Sequence, residues 1–190
     1  MNNTSGGLLQ KSLSKVFQNS LAAQAAEVLL LLLIGAIAIT LHARMRIPLH
    51  IPGRQGLIFM AVIIAGKSFS RYPFAASVSC LGSSSLLMMN ILGYDDPFMP
   101  VVYASLGVII DSMFFLFSRL GKSPWILAFA GGISWATIPL IRLVTSMITG
   151  FPYHSLMAGL WLPLSSHFIA GFLGCFIALV SIRIVTKNTE

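Results

Sequence analysis

Arg142, His167 and Asn90 are polar residues set inside or at the end of long apolar stretches. A guanidinium in such a setting is costly to leave unpaired, and it faces a partner or a wet cavity where it can form charge-assisted bonds. His167 adds an imidazole and Asn90 a carboxamide, each able to donate and to accept. Trp135 offers a ring face and an N–H. Pro139, four residues on, cannot bond to the Trp135 carbonyl, which frees an acceptor and favours a kink just before Arg142. The chemistry open to this set is recognition of a small solute.

A second polar group lies at residues 42–55, the most polar stretch between apolar segments, with His42, Arg44, Arg46, His50, Arg54 and Gln55 around Pro48 and Pro52. Proline at that spacing disfavours helix and strand alike. The two histidines have no Cys or carboxylate at ligand spacing, so the stretch does not read as a metal site. His154 and Tyr153 lie in a further loop. Tyr94, Tyr103, Trp135, Tyr153 and Trp161 supply rings that either stack on a solute or form an interfacial aromatic belt.

The elements that must position these groups belong in lipid. Hydrophobic residues make up 56% of the 190-residue chain against 9% charged, and the mean hydropathy is +0.87. Ordinary soluble domains carry about 25% charged residues. The length holds about six spans of roughly 20 residues, so the expectation is an all-α polytopic bundle. It would have an interfacial amphipathic segment over residues 1–20 and one transmembrane domain over 21–186.

Leu9, Leu13, Val16 and Phe17 share one helical face in that first segment, away from Lys11 and Lys15. Spans are expected at about 21–41, 56–66, 73–92, 98–117, 124–148 and 160–184. The second, with about eleven uninterrupted residues, is short for a bilayer. The third carries Ala75, Ser79 and Ser83 beside Ala76, Cys80 and Ser84, a narrow face for tight central packing.

The region 28–38 mimics a secretory signal, but Glu27 directly before it argues for a retained first span. Cys80 and Cys175 lie in apolar segments and read as small buried hydrophobes. The net charge of +7 is scattered in ones and twos rather than gathered in a stripe, which argues against nucleic acid as a partner.

The basic residues read as topology signals. With the amino terminus inside, Lys11, Lys15, Lys67, Arg71, Arg119, Lys122, Arg183 and Lys187 are cytoplasmic, and Arg44, Arg46 and Arg54 are the outward exception. Asn90, Arg142 and His167 then lie at similar depth toward the outer face, while Asp111 lies deeper, near Lys67 and Arg71, in a structural ion pair or a helix–helix hydrogen bond rather than on the solute. The outer arginines and Arg142 favour an anionic group on the solute.

Ala22 and Ala26, the loop from Arg46 through His50 and Arg54 to Gly56, the span count and the chain length together resemble the substrate-binding S components of energy-coupling factor transporters. The resemblance implies a six-span subunit of a bacterial inner membrane that captures a vitamin-like micronutrient at its outer face. The first loop would act as a lid, and Ala22 and Ala26 would dock on a transmembrane coupling subunit that works with cytoplasmic ATPases. The expected solute-binding set is His50, Arg54, Gln55, Asn90, Trp135, Arg142, His154 and His167. No catalytic residue, cofactor or metal is expected.

Two other classes compete. Gly82, Ser83, Ser84 and Ser85 with His167 and Gly171 superficially suggest a rhomboid-like serine protease, but no Gly-x-Ser-Gly occurs and serines at this spacing are packing residues. A ligand-free structural or assembly subunit would use Arg142 and His167 only as pairing groups.

Overall fold

The computed structural model describes residues 8–17, 20–45, 53–157 and 159–188 and is helical throughout, with no strand among the described residues. The helices are α1 (Leu8–Val16), α2 (Ser20–Arg44), α3 (Gly56–Phe69), α4 (Ala75–Met88), α5 (Met99–Ser118), α6 (Pro124–Thr149) and α7 (Trp161–Asn188). A 3-10 turn, His154–Leu156, interrupts the connection between α6 and α7.

Helices α2, α5, α6 and α7 are long and apolar enough to cross a membrane. Helices α3 and α4 are shorter, at 14 residues each. At 1.5 Å per residue that is about 21 Å, against a hydrocarbon core of about 30 Å. The expected third span over 73–92 is therefore shortened at both ends. It stops at Met88 because the chain turns at Asn90, whose φ is 52°, and again at Gly93, whose φ is 67°.

At the start of α4, Asp111 from α5 accepts the backbone N–H groups of Ala76 and Ser77 and the Ser77 hydroxyl. A carboxylate at that position satisfies donors that a helix leaves unpaired and complements the positive end of its dipole. Lys67 donates to the same carboxylate and to the Pro73 carbonyl, so the expected Asp111 ion pair is present.

The buried stripe of α2 is Ala23, Glu27, Leu31, Gly35, Ala38, Ile39 and His42, while Leu29, Leu33 and Ile37 point outward. Its apolar outer face is what a lipid-facing helix requires. Helix α4 supplies the matching surface, with Ala75, Ala76, Ser79, Cys80, Gly82, Ser83 and Ser84 all buried, as its narrow face led us to expect.

Glycines let the two backbones touch. A Cβ on Gly35 would lie 1.6 Å from the Ser79 carbonyl oxygen, and one on Gly82 would lie 2.0 Å from that of Leu32. The Ser83 hydroxyl closes the seam by donating to the Gly35 carbonyl at 2.7 Å. Such close approach is how small residues drive helix association where no water is present to expel.

Glu27 is fully buried in this layer, where its carboxylate accepts the Ser70 hydroxyl at 2.7 Å and the Arg71 N–H at 3.3 Å. Both carboxylate networks thus hold the α3–α4 connection at one end of the bundle. The polar cavity lies at the other end.

Candidate functional site

At the end formed by the last turns of α2, the start of α3, the α4–α5 connection and the α6–α7 connection, the bundle holds a half-open cavity of about 600 Å³. Its floor is aromatic. Trp135 of α6 stacks on His167 of α7 with ring centroids 6.2 Å apart and planes 24° from parallel. His42 meets Phe59, Tyr103 and Trp135 edge-on at 5.9–6.0 Å.

The Tyr103 hydroxyl and His42 Nε2 are 3.1 Å apart. The Gln55 backbone lies near the same ring, though His42 Nδ1 meets no partner within hydrogen-bond geometry. His167 Nδ1 is 2.7 Å from the Pro163 carbonyl oxygen. A carbonyl only accepts, so Nδ1 carries the hydrogen, and Nε2 of the neutral ring is an acceptor.

The described part of the α2–α3 connection is stitched onto this floor. The Trp135 indole N–H donates to the Gly53 carbonyl at 3.3 Å. Gly53 has φ 74°, and a Cβ there would sit 2.4 Å from His167 Nδ1, so both its backbone conformation and its contact exclude a side chain. Close packing of α6 on α7 sets the depth of the floor, because Gly171 would bring a Cβ within 2.4 Å of that of Trp135.

The wall is charged. Arg142 Nη2 lies 4.0 Å from Asp96 Oδ2, and its nearest acceptor is the Met99 thioether at 3.2 Å. The Tyr153 ring lies under the guanidinium at 5.5 Å. Asp96 Oδ1 is engaged by the Phe98 N–H at 2.9 Å and the Tyr153 hydroxyl at 3.3 Å, while Asp96 Oδ2 and Arg142 Nε have no hydrogen-bond partner. Burial, and after it the Asp96 carboxylate, pushes the Tyr153 phenol up to about 12. Burial also raises Tyr94, against the pull of Arg142.

Of the residues singled out from the sequence, Gln55, Trp135, Arg142, His154 and His167 line this cavity together. Asn90 does not join them; it is exposed in the turn after α4 and lines a neighbouring cavity that shares Tyr94, Asp95, Asp96 and Met99. The left-handed turn at Asn90 is the reason, since it ends α4 before that side chain can face the bundle. Arg54 is half-buried beside the cavity rather than in its lining, with Nε unpartnered. His50 and Arg46 lie outside the described residues.

Ala22 and Ala26 are half-buried at the opposite end, one position off the buried Ala23–Glu27 stripe. Trp161 is 84% exposed and takes no part in the cavity. Ser83 and Ser84 bond to the Gly35 and Pro100 carbonyls, and His167 to that of Pro163, so no serine–histidine pair forms among them.

Among the lining residues that were not legible as such are His42 and Asp96. His42 reads as a loop residue by its polar surroundings, yet it continues the stripe of Leu31, Gly35 and Ala38 at helical spacing, which is the signal that places it. Asp96 reads as a turn residue by composition, and nothing local marks its pairing with a residue of α6.

No protein family, no curated protein and no solved structure matches this chain.

Proposed function

We propose that this protein is a membrane-embedded solute-binding subunit that captures a small micronutrient at the cavity end of its bundle. The observation that carries the proposal is the cavity itself, about 600 Å³, within the roughly 300–1,000 Å³ of small-molecule sites. It combines an aromatic floor with a small number of convergent polar groups, the composition that orients a ligand while burying its apolar body.

In this reading the cavity faces outward and the basic connections at the opposite end face the cytoplasm, with both termini, in a bacterial inner membrane. Gly53 and Gln55, at the described end of the α2–α3 connection, border the cavity. Helices α3 and α4 complete a six-helix domain whose short members thin the bilayer locally or sit within the bundle. The chain holds no Gly-x-x-x-x-Gly-Lys-Ser/Thr phosphate loop, so cytoplasmic ATPases supply the energy through a coupling subunit that docks on Ala22 and Ala26. This division of labour is that of the S components of energy-coupling factor transporters.

Native mass spectrometry of the purified protein tests the binding step. The wild type is expected to retain a small molecule that Trp135→Ala loses; identical ligand-free spectra for both would overturn the proposal. Ala22→Leu and Ala26→Leu test the coupling step, with cellular uptake lost and retention of the molecule unchanged.

A further inference from the structure

We infer that the solute carries a planar, uncharged head whose edge places an N–H beside a C=O, and that this edge bridges Asp96 and Arg142. The inference rests on the cavity being a solute site and specifies what that site selects.

The wall offers one donor and one acceptor side by side. Asp96 Oδ1 is already engaged by Phe98 and Tyr153, which leaves Oδ2 as a buried acceptor without a hydrogen-bond partner. Arg142 has only a thioether within hydrogen-bond distance, a weak acceptor that a carbonyl oxygen readily replaces. The two side chains stand 4.0 Å apart, too far for a direct hydrogen bond and close enough for two neighbouring atoms of one ligand to meet both.

Charge decides against a plain anion. A carboxylate placed on Arg142 would lie against the Asp96 carboxylate, within a half-buried pair whose side chains are only 21% and 16% exposed. An ammonium on Asp96 would meet Arg142 in the same way. The pair is neutral as a unit, so a neutral group with both functions gains two charge-assisted bonds without introducing a like-charge contact. The stacked Trp135 and His167 rings, with His42 and Tyr103 edge-on beside them, give a flat head a matching flat surface.

Ligand-observed NMR on the protein in nanodiscs tests this with four ring probes of similar size: 2-pyridone, N-methyl-2-pyridone, benzoate and benzylammonium. 2-Pyridone is expected to bind about ten-fold or more tightly than each of the others, because each of them lacks the N–H or brings an unmatched charge. Asp96→Ala is expected to reverse the order of 2-pyridone and benzoate by leaving Arg142 unopposed. Should Asp96→Ala fail to fold for want of its bond to Phe98, Asp96→Asn keeps an acceptor there and is expected to shift the preference the same way. Tighter binding of benzoate or benzylammonium to the wild type would overturn the inference and leave the cavity as a solute site. Equal binding of 2-pyridone and its N-methyl derivative would overturn it equally. Binding of none of the probes would overturn both.

Discussion

Asp96 and Arg142 face each other across 4.0 Å, one from the connection before α5 and the other from the second half of α6. At that distance two unit charges attract by about 4 kcal/mol at an effective dielectric constant of 20. Neither side chain closes the gap, because Asp96 is held by Phe98 and Tyr153 and Arg142 by Met99 and the Tyr153 ring.

Arg142→Lys keeps the charge and loses the planar fork. It is expected to weaken retention of the bound solute about ten-fold while leaving the melting temperature in detergent nearly unchanged. A variant that melts far lower would instead make Arg142 a structural pairing group.

Tyr153→Phe is expected to cost about 1.5 kcal/mol by removing a bond to a carboxylate. The phenol is held up at about 12 against its usual 10.0, so the folded state binds this proton more tightly than the unfolded one. Its contribution is therefore complete below pH 10 and is lost as pH rises through about 12. Melting curves of wild type and variant should converge over that window.

Gly35→Ala is expected to abolish stable expression, since its Cβ would lie 1.6 Å from a backbone carbonyl that cannot move without parting α2 from α4. Ser83→Ala, at the same seam, removes one interhelical bond and is expected to cost only about 0.6 kcal/mol. Melting curves in detergent separate the two cases.

Lys67→Met should be milder than Asp111→Ala. Without Lys67 the carboxylate still has the donors of Ala76 and Ser77, whereas without Asp111 those donors and the lysine all lose their shared acceptor. Costs of about 3 kcal/mol or less for Lys67→Met and about 3–5 kcal/mol for Asp111→Ala are expected from thermal unfolding. The reverse order would show that the lysine, not the cap on α4, carries this corner.

Cysteine placed at His154 should react with an impermeant thiol reagent on intact cells, and cysteine at Lys122 should not. Both positions are exposed, and the native Cys80 and Cys175 are buried. Labelling at 122 with protection at 154 would invert the proposed orientation.

The helical class of the chain and its four helices long and apolar enough to cross a membrane were legible in composition and apolar run length alone, because a hydrocarbon environment selects residue by residue. The packing face of α4 was legible for the same reason, as a helical repeat of small residues. Trp135, Arg142 and His167 stood out because polar or aromatic groups inside such runs need partners. What only the tertiary structure decided is which groups share a cavity. Asn90 leaves it because one residue adopts φ 52°. His42 joins it because α2 runs to Arg44. Asp96 meets Arg142 although the two are far apart in the chain. Backbone turns and helix ends depend on which donors and acceptors the rest of the fold brings to them, as Asp111 does for α4, and no local pattern of residues carries that information.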